Sequence, residues 1–244
     1  MEKIPLETPG VDAQIRFRDC FSVRYIQSAA VLCRLGFAIE QQCLANEVPA
    51  ELRLRHEAFI LNAVLSTVAF LESAVNELYA DATDDTCFFS DGEHREVLRS
   101  IAGKWHNARN FDRAPMITKY QKILEITTGS PFDEHDQAFA NVRILTGIRN
   151  HLMHYKREWV VIRTSPVALS GDESTPDKFD KVLRKKFAIN PLASKNQPFF
   201  PDKCLGHGCA EWAVLNSVIF TDEFFRRLGL PVPYEGVRDE LATR

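Results

Sequence analysis

An all-α fold, an up-and-down helical bundle with an extra N-terminal helix and elaborated loops, is predicted by three observations. Apolar residues recur at three- and four-residue steps through most of the chain, strand-like alternation is nearly absent, and glycine is sparse, at 11 of 244 residues. Residues 1 to about 18, with Pro5, Pro9 and Gly10, read as an irregular arm. Helical signal starts near Phe21 and runs through Val31, Leu32, Leu35, Ile39 and Leu44. Pro49 then suits the first turn of a second helix, which continues to about Ala82. Its residues Ile60, Val64, Thr67, Leu71, Val75 and Leu78 form a core stripe, and a neighbouring line carries Leu65, Ala69, Glu72, Asn76 and Tyr79. So wide an apolar face suits a central helix.

An acidic break from Asp81 to Glu93 follows, then helices over about Glu93–Asn110 and Pro115–Thr127, the latter ended by Gly129-Ser130-Pro131. Asp133 or Asp136 is placed to cap the next helix, from about His135 to Trp159. Val160 to Arg163 reads as a short extended piece or frayed helix, Ser165 to Thr175 as a loop, and Asp177 to Phe187 as a charged, solvated helix. The proline-bearing loop Asn190–Pro201 leads to a last helix, about Gly206 to Leu228. Trp212, Leu215, Ile219, Phe224 and Leu228 are there for burial, and Gly229 and Pro231 end it. The expected organisation is an arm over 1–19, one helical domain over 20–230, and a tail over 231–244.

Composition narrows the function classes. Thirty basic residues against 33 acidic give a net charge of −3, so bulk charge does not mark a nucleic-acid binder, and such binding requires a local patch. No apolar run is read as long enough to span a bilayer, and the N-terminus lacks a signal-peptide core, so the expected setting is cytoplasmic and away from membranes. Six scattered cysteines read as thiols of a reducing compartment.

The patch lies on the helix of His135–Trp159. Ala138, Val142, Leu145, Arg149 and Leu152 share one stripe, so Arg149 occupies the place of an apolar residue. Asn150 and His154, one turn apart, share a face about 100° further round. From Arg143 to Arg163 five basic residues (Arg143, Arg149, Lys156, Arg157, Arg163) meet one acidic residue, Glu158, a local formal charge of +4 that favours a polyanion. Two readings stand side by side. Arg149 can pair with Glu72 to hold the bundle together, with His154 an interface histidine. The same guanidinium can hold developing charge on a phosphate while His154 moves a proton.

The run Arg149-Asn150 followed by His154, an R-N-x-x-x-H pattern near a helix end, resembles the signature of HEPN-domain proteins. The segment Phe70-Leu71-Glu72-Ser73-Ala74-Val75-Asn76-Glu77 is similar to an F-L-E-S-x-x-N segment of that family, and Cys209-Ala210-Glu211-Trp212-Ala213 is similar to terminal helices of uncharacterised members. The resemblance runs in helix order from about Arg53 to Leu228. It implies a HEPN-like helical bundle and a homodimer whose motif helices meet at a cleft. It further implies metal-independent endoribonuclease activity of a toxin, anti-phage defence or RNA-processing type, forming a 2′,3′-cyclic phosphate. By the same resemblance Arg149, His154 and Asn150 are the catalytic set, and Glu72 and Asn76 approach the motif arginine in support. Arg143, Lys156 and Arg157 would contact RNA phosphates. No cofactor and no metal are expected, and RNA and an antitoxin or nucleotidyltransferase are the expected partners. The alternative is a non-catalytic nucleotide-binding or protein-interaction module in which the motif is structural.

Other motifs are weaker. Cys204, His207 and Cys209 form a C-x-x-H-x-C cluster, but zinc needs four ligands, usually in two separated pairs, so a helix start reached through glycines is the expected reading. The acidic break lacks the ligand alternation of a calcium loop. Phosphate-loop and dinucleotide motifs are absent, as is a nucleophile elbow. Trp105, Trp159 and Trp212 sit at helical spacings that suit core or seam.

Overall fold

The computed structural model describes residues 19–43, 48–83, 94–107, 113–155 and 175–244, the side chains of 104–107 and 175–178 excepted. Every element among them is helical: α1 (Phe21–Cys43), α2 (Ala50–Ala82), α3 (Arg95–Asn107), α4 (Met116–Thr127), α5 (Gln137–Met153), α6 (Thr175–Leu183) and α7 (His207–Leu228). A kinked turn at Phe199–Lys203 precedes α7, and a 3-10 helix at Glu235–Leu241 follows it. The all-α bundle expected from the periodicity is what the chain adopts. The expected arm, most of the acidic break, Val160 to Arg163, Trp159, Lys156 and Arg157 lie outside the described residues.

The 33-residue α2 is the centre. All six residues of its expected stripe, from Ile60 to Leu78, are buried, and Phe70, Ala74 and Tyr79 join them. Helix α1 packs along it most extensively, with α7, α5, α4 and α3 on its other sides. The α1 crossing is close because Gly36 has no side chain: a Cβ there would sit 2.5 Å from Ile60 Cδ1. By length and composition α2 could cross a membrane, contrary to the reading that no apolar run is long enough. Half of its apolar window is buried inside this bundle, which is how the central helix of a folded domain spends such residues.

Helix ends follow their local chemistry. Pro49 stands at the N-cap of α2 with φ −56° and ψ 144°. The N-terminus of α1 is capped from outside: the Ser22 backbone N–H donates to Glu77 Oε1 of α2 at 2.9 Å, and the Ser22 hydroxyl donates to the other carboxylate oxygen. Gly229 ends α7 at φ +68°, and Leu230 N–H then reaches back to the Phe225 carbonyl at 3.0 Å, the pairing of a Schellman motif.

Three expectations change. Helix α5 ends at Met153, not near Trp159: its last buried residue is Ile148, and Met153, His154 and Tyr155 are all exposed. Leu215 and Ile219 of α7 are about half exposed instead of buried, and Val31 and Leu35 of α1 are exposed to a similar degree. They lie on the apolar margins of helices whose other faces already fill the core. The stretch 231–244 packs back on the bundle: Tyr234 and Leu241 are buried, and Arg238 forks onto Asp222 with both bonds at 3.0 Å.

A buried polar knot ties this returning stretch to the first two helices. Glu40 of α1 and His56 of α2 are both nearly inaccessible, and His56 Nε2 donates to Glu40 Oε1 at 2.8 Å. The same oxygen accepts from the His207 backbone N–H at 2.6 Å, so Glu40 also caps α7. The His207 ring then donates from Nε2 to the Thr243 carbonyl at 3.1 Å. Beside it Gly206 and Gly208 admit the backbone of 188–190, since a Cβ on Gly208 would lie 2.4 Å from the Ala188 carbonyl oxygen. Removing one member of a buried hydrogen-bonded pair leaves the other stranded, which costs about 3–5 kcal/mol. Glu40→Ala should therefore lower the unfolding free energy by roughly that amount, measured by urea denaturation against Glu51→Ala on the exposed face of α2.

Candidate functional site

Helix α5 carries the motif, and its N-terminus and one face are fixed. Asp136, one of the two expected caps, accepts from the backbone N–H groups of Ala138 (3.0 Å) and Phe139 (3.4 Å). Its other carboxylate oxygen accepts from Arg227 of α7 at 3.2 Å, and Arg227 lies over the Phe132 ring at 4.4 Å. Arg227 also donates to Glu223, which Arg226 holds from the other side. Further along, Val142, Leu145 and Ile148 are buried, so α5 cannot rotate without uncovering its stripe.

That rotation sets the positions of the motif residues. Arg149 points toward α2, and its Nη2 donates to Glu72 Oε2 at 3.0 Å, the pair the sequence predicts. Its Nη1 donates to Asn150 Oδ1 at 3.0 Å, so the guanidinium is held on two sides. Arg149 is 29% exposed and Glu72 44%, which makes this a pair at the mouth of a seam and not a buried one. Asn76 does not join it: its Oδ1 accepts from Lys119 Nζ of α4 at 2.7 Å, with the lysine ammonium brought in along a buried stem.

Asn150 and His154 are exposed on the outer face of α5, as the helical wheel requires. His154 has left helical geometry and ends the helix, its backbone N–H donating to the Asn150 carbonyl at 3.0 Å. Five residues separate Arg149 from His154, about 7.5 Å along the axis and about 140° around it. The two do not converge within one chain, and no hydrogen bond joins them among the described residues. Arg143 lies one heptad before Asn150 on the same outer face and is exposed, its nearest carboxylate, Glu134, at 3.9 Å.

His151, between the two exposed motif residues in the chain, has an aromatic setting. Its ring meets Tyr155 (5.6 Å, 88°), Phe179 of α6 (5.6 Å, 73°) and Phe200 (5.2 Å, 74°), all edge to face. Phe179 and Phe200 come from distant segments, and only their aromatic character was available to signal the cluster. The lysine of α4 that engages Asn76 had no signal at all.

As for metal ligands, the described residues contain no group of three or more His, Cys, Asp or Glu side chains able to hold an ion. In the C-x-x-H-x-C run the His207 ring turns to Thr243, while the thiols of Cys204 and Cys209 are buried against each other. The hydrogen bond that the Cys209 thiol donates to Cys204, together with burial, pushes Cys209 well above the usual range.

Compared with known proteins, the chain matches no family model, no curated protein and no solved structure.

The α7 anchor of α5 is sensitive to acid. Hydrogen bonds from Arg226, and then from Arg227, hold the Glu223 carboxyl down from 4.5 to about 2. A carboxyl depressed in the folded state contributes stability that is present above its ordinary value and is lost as pH falls through the depressed one. The stability of the wild type should drop between pH 4.5 and about 2, and Glu223→Gln should flatten that limb of the curve in thermal melts across the range. An unchanged limb would remove Glu223 from the account.

Proposed function

We propose that the protein is a metal-independent endoribonuclease that works as a homodimer. The observation that carries this reading is the outer end of α5: a guanidinium held by Glu72 and Asn150, with an exposed histidine one turn beyond, on a helix with a basic surface. In the proposed reaction His154 takes the proton of an RNA 2′-hydroxyl. The O2′–P bond forms, the P–O5′ bond breaks, and a proton returns to the departing O5′, leaving a 2′,3′-cyclic phosphate and a 5′-hydroxyl. Arg149 steadies the negative charge on the phosphate, and Asn150 keeps the guanidinium in place. Because Arg149 and His154 diverge on one helix, two α5 helices facing each other across a twofold axis would complete the site, Arg149 of one chain serving with His154 of the other. Arg143, and Lys156 and Arg157 just past the helix, supply phosphate contacts. A cytoplasmic toxin, defence or RNA-processing role, checked by an antitoxin or nucleotidyltransferase, belongs to the same proposal.

The test is RNA cleavage in EDTA with wild type and His154→Ala. Wild type should cut and leave a cyclic phosphate, and the variant should lose on the order of a hundredfold or more in rate, the usual worth of a positioned acid or base. Equal cleavage by both would sink the assignment.

One observation favours a second reading, a non-catalytic nucleotide-binding or interaction module: Glu72 already neutralises Arg149. The two readings differ in what Arg149 is worth to the fold. A pair this exposed contributes about 1 kcal/mol or less, so Arg149→Ala should shift the melting temperature by only a few degrees while cleavage collapses. A large drop in melting temperature with no RNA cut by either protein would support the module.

A further inference from the structure

We infer that the seam between α5 and α6 with its following turn forms a track for single-stranded RNA, in which the Tyr155 ring stacks on a base and Lys186 holds a backbone phosphate. The inference rests on the reading of Arg149 and His154 as an RNA site, and adds two contacts that reading does not contain.

The base platform comes from the aromatic cluster. Tyr155 sits just past the end of α5 and is 55% exposed, yet it is not loose, because its ring stands perpendicular to His151. His151 is itself braced by Phe179 and by the buried Phe200, whose rings meet at a tilt with centroids 4.8 Å apart. A ring supported from one side and more than half exposed leaves a face for another π-system. Met153, also exposed, adds polarisable surface next to it. An apolar aromatic surface open to water beside a cationic helix end contributes nothing to the core, and it is what a splayed-out base stacks on.

The phosphate contact comes from the other end of the seam. Phe179 lies against Gly147 and His151, and Lys186, seven residues on, reaches Asn141, so α6 and its following turn run antiparallel beside α5. The Lys186 Nζ donates to Asn141 Oδ1 at 2.7 Å. Asn141 is buried and is fixed in turn by Gln137 and Asn216, so the ammonium has a defined place. One of its three donors goes to this neutral amide, and no carboxylate pairs with it among the described residues. Lys185 stands exposed beside it.

From Asn141 to Tyr155 the seam is about 20 Å long, enough for several nucleotides. A placed ammonium at one end of a seam and an open aromatic face at the other fit a single strand, whose bases are free to unstack. A duplex keeps those faces covered and offers only phosphate and sugar.

The test is fluorescence anisotropy on the full chain with a fluorescein-labelled single-stranded oligouridylate and with the same strand annealed to its complement. Tyr155→Ala should weaken binding of the single strand roughly tenfold, while Tyr155→Phe, which keeps the ring, should bind as wild type. Lys186→Gln, which keeps a donor for Asn141, should reduce the salt slope of binding by about 0.7, the loss of one phosphate contact. The duplex should bind more weakly and ignore Tyr155→Ala. Tyr155-dependent binding without His154-dependent cleavage would uphold the track and reject the ribonuclease. His154-dependent cleavage with single-strand affinity unchanged in Tyr155→Ala would do the reverse. Binding of neither strand, or tighter binding of the duplex, overturns the track.

Discussion

The burial of α2 is the constraint from which the other positions follow. A helix of 33 residues with apolar side chains on most of its circumference must be surrounded, and α1, α3, α4, α5 and α7 do the surrounding. Four of its polar side chains reach other elements: His56 meets Glu40, Glu72 meets Arg149, Asn76 meets Lys119, and Glu77 caps α1. These contacts differ in depth and hence in consequence. The His56–Glu40 pair is sealed, where an unmatched charge is severely penalised, whereas the Glu72–Arg149 pair opens to water, where geometry matters more than energy. The deep pair fixes the bundle; the shallow one positions a side chain that still has access to solvent.

Much of this was legible in the sequence because helical periodicity reports which face turns inward. The core stripe of α2, the caps of α5 and α7, and the facing of Arg149 toward Glu72 with Asn150 and His154 outside all follow from counting residues. Periodicity says nothing about which helix lies opposite, and the misreadings fall there. Asn76 shares a line with Glu72, yet an α4 lysine claims it. Leu215 and Ile219 continue the apolar pattern of α7 but stay about half exposed. The knot of Glu40, His56 and His207 joins three segments far apart in the chain, and none of its members looks unusual within its own helix.

Within α5 the same rigidity that makes the motif predictable also splits it. A straight helix gives residues five apart divergent directions, and neither the Asp136–Arg227 anchor nor the buried stripe leaves room for a twist that would bring Arg149 and His154 together. Any concerted use of the two groups has to come from something brought to the helix, either a second copy or a ligand that bends around its end.

The close approach of Gly206 and Gly208 to the chain at 188–190 has a consequence for how the protein can vary. Where two helices meet through side chains, a change on one surface can be absorbed by a compensating change on the other, and cores drift in this way without losing their shape. Here backbone touches backbone, and no side chain stands between to be exchanged. The start of α7 and the segment leading from α6 are therefore joined at a point that admits no substitution on one side and no remedy on the other. Sequence change would be expected to flow around this contact, through the exposed margins of α1 and α7, and to leave the setting of α6 against the motif helix as it is.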